Sequence, residues 1–327
     1  MPTSSVLLRR GLAAAALPLA LLAGGCGGDD DPATSTAAAP AAADFPSPDG
    51  RTLEELASAE ATPSDLVVSP AGKTFEPGEN RYGFGVFTVR HENVPDAEVA
   101  LYAARPEGKA VGPFPASVAS LATAPAFQSQ STVTDPDAAT VVYAADVELD
   151  GKGEWRIMAM LKEDDGSYTT ANIPSAIVGS FPKIPEVGEM APVVHTPTVD
   201  DVGGDISQID TRQPPDTMHE VDYADVVGRE PVVLILATPA LCTSRVCGPV
   251  VDIVEEVKSE RPDDAAFIHS EIYTDNDPSK GPNEQVRAFN LQSEPWLFVI
   301  DEEGKVSTRI EGAFSAAELN AAIDKAS

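Results

Sequence analysis

Apolar residues fall along this chain in three regimes. The stretch Gly11-Leu-Ala-Ala-Ala-Ala-Leu-Pro-Leu-Ala-Leu-Leu is one unbroken run. From about residue 65 to 180, apolar and polar positions alternate, as in Leu66-Val-Val, Arg81–Val89, Glu98–Ala103, Thr140–Val147 and Glu154–Leu161. Alternation with period two predicts strands with one buried face. Turn signals such as Glu76-Pro-Gly-Glu-Asn and Glu163-Asp-Asp-Gly separate them. Beyond 230 the apolar runs become continuous: Pro231–Ala237, Ala265–His269 and Trp296–Ile300. Such runs predict strands buried on both faces, as in a parallel sheet covered by helices.

Helical spacing fills the gaps in this last regime. Val251, Val254 and Val257 share one face, and Glu284–Leu291 turns Val286 and Phe289 inward. Trp296–Ile300 and Lys305–Ile310 flank the turn Asp301-Glu-Glu-Gly and predict a hairpin. Ser315 and Glu318 form a capping box, with Phe314 placed to staple to Leu319. The order β-α-β-α-β-β-α calls for a parallel pair with crossover helices and an antiparallel edge.

The start of the chain reads as processing. Arg9 and Arg10 precede the apolar run, which ends in Ala23-Gly24-Gly25-Cys26. Charged head, short greasy middle and small-residue exit are the parts of a secretory signal, here residues 1–25. The exit resembles the lipobox of bacterial lipoproteins, with Ala23 standing where Leu is usual. That resemblance implies a diacylated Cys26 and a lipid-anchored protein on the outer side of a bacterial cell membrane. Residues 26–62, rich in Ala, Pro, Ser and Thr, are expected to form a flexible tether. An all-β, immunoglobulin-like sandwich is expected over 63–180, with a strand-poor excursion between Pro106 and Asp137. His91 is expected in a loop and Trp155 in the sandwich core. A Pro-rich linker follows over 181–196, then an α/β domain over 197–327.

Charge narrows the partners. Fifty-two acidic residues stand against 22 basic ones, a formal net charge of −30 over 327 residues. That surface repels nucleic acid, and no basic patch offsets it. No nucleotide-binding loop, zinc-spaced cysteine quartet or Ser/His/Asp triad is present in the sequence. No resident cofactor is expected, and the sequence leaves the oligomeric state open.

The candidate chemistry is Cys242 and Cys247, between the first continuous strand and its helix. Three phrases carry a resemblance to the thioredoxin superfamily. Cys247-Gly-Pro-Val is similar to the thioredoxin Cys-Gly-Pro-Cys box, with Val250 in place of the last cysteine. Thr238-Pro-Ala-Leu-Cys-Thr-Ser-Arg-Val-Cys resembles the redox stretch of peroxiredoxin Q enzymes. Glu294-Pro-Trp-Leu-Phe-Val-Ile-Asp-Glu-Glu-Gly-Lys-Val is similar to the TlpA-type phrase that holds a cis-proline, here Pro295. Val187-Gly-Glu-Met-Ala-Pro also looks like the opening of a redoxin domain.

The resemblance implies a thioredoxin-like fold and thiol–disulfide exchange with another exported protein, Pro295 and Trp296 shaping the groove for its strand. The peroxiredoxin phrase nominates Cys242 as the attacking sulfur and the thioredoxin phrase nominates Cys247. Peroxidase activity is not implied, because Ile235 and Pro239 stand where a peroxide pocket needs Pro and Thr, and Glu294 and Pro295 where it needs an arginine.

Physical chemistry adds two conditions. A thiolate on a helix's first turn is stabilised by unpaired N–H groups and the dipole, and Arg245 lies between the cysteines. Residues five apart in a regular helix have Cα atoms roughly 8 Å apart, beyond the ~7 Å reach of a disulfide. The bond therefore requires Cys242 to stay outside the helix. Two other readings compete: a structural disulfide in a binding or assembly module, and copper handling by Cys242, Cys247 and His269 in the manner of Sco proteins. His195 and His219 are not expected to join any ligand cluster.

Overall fold

The computed structural model describes Met1 and residues 36–179, 182–242 and 244–327. The expected signal segment, Cys26 and residues 26–35 of the expected tether lie outside the described residues. Contacts divide the chain into Met1–Asp30 and Asp31–Ser327, and every described helix and strand belongs to the second unit. No helix among the described residues is long and apolar enough to cross a membrane.

The alternating region folds as two facing sheets. One contains β1 (Thr36–Ala37), β7 (Ser117–Ser120), β8 (Val141–Leu149), β4 (Gly78–Phe87) and β3 (Val67–Pro70), in that order. The other contains β2 (Thr62–Pro63), β10 (Tyr168–Val178), β9 (Gly153–Lys162), β5 (Glu98–Ala104) and β6 (Val111–Pro115). Pairings are antiparallel except β2 with β10. Inward residues such as Tyr82, Phe84, Leu101, Tyr143, Trp155 and Ile157 make the core between the sheets. Trp155 is thus a core residue, and His91 lies in an exposed turn.

Three sequence expectations do not hold. Residues 42–61 are not a tether: Phe45, Leu53 and Leu56 are buried on the outer face of the second sheet, against Ala100, Tyr102, Met158 and Met160. Helix α1 (Leu53–Glu60) starts with a capping box between Thr52 and Glu55. Two leucines three positions apart suffice to seat two turns once a sheet face is available. The excursion from Pro106 to Asp137 supplies two strands, β6 and β7, and the short helix α2 (Gln130–Thr134). Residues 182–196, the described part of the expected 181–196 linker, are built into the C-terminal fold rather than linking to it. Ile184, Ala191 and Val194 are buried, and Gly188 N and Ala191 N donate to Val306 O and Gly304 O.

The C-terminal sheet has the order β12 (Ala266–Ser270), β11 (Val232–Leu236), β13 (Trp296–Ile300), β14 (Val306–Glu311). Strands β11 and β12 are parallel, while β13 and β14 complete the sheet antiparallel. The chain order is the one the sequence pattern calls for, β-α-β-α-β-β-α. Period two sends Val233, Ile235 and Ala237 to one face, under α4 (Cys247–Glu260) and α6 (Ala316–Ala326). Val232, Leu234 and Leu236 go to the other, with Tyr223 of α3 (Tyr223–Val226) and Val286 of α5 (Glu284–Ala288). The Ser315–Glu318 capping box forms, and Phe314 and Leu319 are both buried in the core under α6.

The α4/α6 core does not stop at the sandwich. Ala119, Leu121 and Val142, from the outer face of the first sheet, belong to the same cluster as Cys247, Val250 and Phe314. Polar bonds reinforce the seam: Arg81 pairs with Glu318 at 2.6 Å, and Arg309 with Glu76 at 2.8 Å. Buried Asp252 of α4 accepts from Ser129 N at 2.9 Å and Thr132 Oγ1 at 2.6 Å, and binds Arg212 Nε at 3.0 Å.

Candidate active site

Cys242 and Cys247 are joined as a disulfide with a Cα–Cα separation of 6.0 Å. The condition set by chain geometry is met: Cys247 is the first residue of α4, and Cys242 lies in the preceding loop. Strand β11 leads to that loop and ends at the sheet's carboxyl edge, where unpaired N–H groups of the helix gather. The two sulfurs differ in access. Cys247 is 0% exposed, whereas Cys242 is only partly buried, its Sγ 3.2 Å from Ser244 Oγ.

Arg245 adopts φ +61°, a left-handed backbone uncommon for a side chain with a Cβ. Its guanidinium pairs with Asp137 and approaches Asp135 at 3.8 Å. The Arg245 carbonyl accepts from Ala139 N at 3.3 Å. The loop between the cysteines is therefore held from the sandwich side, and the cation between them already has carboxylate partners. Helix α2 covers the next turn: a Cβ on Gly248 would stand 2.8 Å from Ser131 Oγ, so a larger residue there would have to displace that hydroxyl.

Ser244, in the loop between the cysteines, reaches a cleft of about 650 Å³ that neither cysteine lines. Ser244, Ser293 and Glu294 form its C-terminal wall, and Ala71, Phe75 and Ala176 its sandwich wall. The Glu294–Pro295 peptide is cis. Glu311 ties the walls together, accepting from Lys73 N at 3.1 Å, Thr74 N at 2.8 Å and Ser293 Oγ. The carbonyl of Pro295 accepts from Gly312 N at 2.9 Å, and a Cβ on Gly312 would lie 2.4 Å from Ala71 O. Trp296 is 2% exposed, stacks on Phe298 at 5.6 Å and donates its indole N–H to Ser293 Oγ at 3.0 Å. It reaches only the wall of a second cleft of about 430 Å³, under Glu76 and Arg309. Burial pushes the Glu294 carboxyl up from its ordinary range, against the pull of Lys73.

The copper set is not assembled. His269 turns Nδ1 to Asp216 at 2.7 Å and Nε2 to Ala237 O at 3.2 Å, and the cysteines bond to each other. Contrary to expectation, His219 does belong to a cluster, with His269, Asp210 and Asp216. Its carboxylates come from an irregular segment without periodicity, so only the type and crowding of Asp210, Asp216 and His219 hinted at it. Near the cluster Glu271 is also buried and accepts from Thr211 N at 2.8 Å and Thr211 Oγ1 at 2.7 Å. The acid–base pattern of the cluster is asymmetric. Burial, then the neighbouring His269, lowers His219 to about 4. For His269, burial works against the charged form, but Asp216 outweighs it and raises the imidazole well above its usual value.

No family model matches the chain, and no curated protein matches it. Among solved structures, the chain is similar to a thioredoxin-family thiol:disulfide interchange protein from Chlorobium tepidum TLS, at 18% identity and a TM-score of 0.27, covering 45% of this chain and 99% of that one. It is also similar to the Lin-41 filamin domain, at 11% identity and a TM-score of 0.21, over 36% of this chain and 97% of that domain.

Proposed function

We propose that this chain exchanges disulfides with another exported protein through Cys242 and Cys247. The observation that carries the reading is the placement of the bond: one sulfur is the first residue of a helix, and its partner is the more accessible. A thiolate of the partner attacks Cys242 Sγ, the S–S bond breaks, and Cys247 leaves as a thiolate facing the N–H groups of α4. A second partner thiolate then attacks the mixed disulfide and releases Cys242. The partner dithiol is oxidised to a disulfide and the chain's disulfide is reduced to two thiols; the reverse sequence reduces a partner. The Ser244–Glu294 cleft would hold the partner's extended segment; Pro295 and Trp296, expected to shape that groove, are buried and do not line it, and would support its wall from behind.

Export and acylation at Cys26 complete the reading. They rest on the sequence pattern and place the reaction where disulfides persist.

The full chain with Cys247→Ser, exposed to envelope extract, is expected to accumulate mixed disulfides through Cys242, and Cys242→Ser to accumulate far fewer. A pair that traps nothing in either variant and has a reduction potential below about −300 mV would overturn exchange and leave a structural staple. The cover that α2 lays over Gly248 favours that second reading.

A further inference from the structure

The four-residue cluster behind the cysteine loop has a role that disulfide exchange does not use. Asp210 and Asp216 come from the irregular segment before α3, His219 follows them, and His269 is the last residue but one of β12. Period two along β12 puts His269 on the same face as Phe267, beneath α4. All four side chains are 0–1% exposed. One potential ligand atom from each lies within 4.8 Å of all the others.

The distances resemble a coordination shell more than a hydrogen-bond network. His219 Nε2 is 3.4 Å from Asp216 Oδ1 and 3.7 Å from Asp210 Oδ2, and His269 Nδ1 is 4.0 Å from Asp210 Oδ1. Ligand atoms at ~2.0–2.1 Å around a tetrahedral ion stand about 3.3 Å apart. Three of these separations therefore need to shrink by less than about 1 Å to reach that spacing. The 2.7 Å contact between His269 and Asp216 must open.

A second observation points to a ligand. Neither ring nitrogen of buried His219 has a hydrogen-bond partner. Buried polar atoms are rarely left this way, because an unpaired one keeps the full penalty of leaving water. Nε2 faces both carboxylates, and a cation between them would satisfy it.

The outer shell is already in place. Asp210 accepts from Arg212 N at 2.7 Å and Asp216 N at 2.9 Å, and Asp216 accepts from Met218 N at 2.9 Å. His269 Nε2 meets Ala237 O, which leaves Nδ1 to coordinate. Fixed carboxylates and a fixed imidazole tautomer are what metal ligands need behind them. The donor set, two nitrogens and two oxygens without sulfur, suits Zn²⁺ and its first-row neighbours rather than Cu(I).

We propose that Asp210, Asp216, His219 and His269 form a buried, four-coordinate site for a divalent first-row cation of the zinc type. The ion would pin the irregular 210–219 segment to the end of β12. With all four positions taken by protein, it would act structurally.

The test uses oxidised, chelator-treated full chain, so that no free thiol competes. Titration with Co²⁺ is expected to give one ion per chain with the visible spectrum of a tetrahedral site, displaced by Zn²⁺. Added Zn²⁺ is also expected to raise the unfolding temperature. His219→Phe keeps the buried volume and Asp210→Asn keeps an acceptor for Arg212 N; each should lower Zn²⁺ affinity by about 100-fold or more. Absent stoichiometric uptake, a spectrum of hydrated six-coordinate Co²⁺, or equal uptake by both variants would overturn the site and assign any binding to the acidic surface.

Discussion

The guanidinium of Arg245, between the two cysteines, rests on the carboxylate of Asp137, 108 positions earlier in the sandwich. The contact neutralises the cation that lies between the cysteines in the sequence and anchors the loop that carries Cys242.

Releasing that cation should change which reductants attack the bond. Asp137→Asn raises the local charge by one, so a multiply anionic thiol such as glutathione is expected to reduce the disulfide a few-fold faster. Cysteamine, which carries a compensating ammonium, should gain little. The difference should fade at high salt, since exposed charges are screened within about 10 Å at 0.1 M. Stopped-flow reduction at two ionic strengths measures it. An unchanged ratio between the two thiols would mean that Arg245 does not steer.

Acid should open the seam between sandwich and C-terminal fold. Burial alone would raise the Glu318 carboxyl, but Arg81 and the Ser315 cap hold it below its ordinary value. A carboxyl depressed in the folded state adds stability above its unfolded value of about 4.3 and loses it as pH falls through the folded value. Urea midpoints measured from pH 7 downward are therefore expected to drop below about pH 4, with a shallower drop in Glu318→Gln. Identical slopes in the two proteins would show that the pair contributes nothing to the acid response.

The packed segment before the sandwich should be as costly to damage as any core element. Leu56 of α1 is 0% exposed against the outer face of the second sheet. Leu56→Ala is expected to destabilise the chain by about 2–5 kcal/mol, read from denaturant unfolding. A loss near zero would show that residues 42–61 behave as the tether their composition suggests.

That composition explains why the segment was hard to read. Between Ala41 and Ala61 only Phe45, Leu53 and Leu56 are large, buried and apolar, and nothing local says that a sheet face awaits them. The C-terminal fold was legible because its signals are redundant. Continuous strands, the Ser315–Glu318 cap and the Asp301–Gly304 turn all agree on one topology. The requirement that Cys242 stay outside the helix followed from chain geometry alone. The His–Asp cluster was not legible, since His219 and His269 sit 50 positions apart and Asp210 and Asp216 lie on an aperiodic segment. Equally hidden were Asp135 and Asp137, whose importance depends on a tertiary approach to Arg245.

The segment from Ala71 to Thr74, pinned by Glu311, builds one bank of the channel that Ser244 reaches, while the other bank belongs to the C-terminal fold. Selectivity in the proposed exchange would then be distributed over two structural halves. Substitutions in that short segment could retune which proteins are admitted and leave the electron chemistry of the cysteines intact.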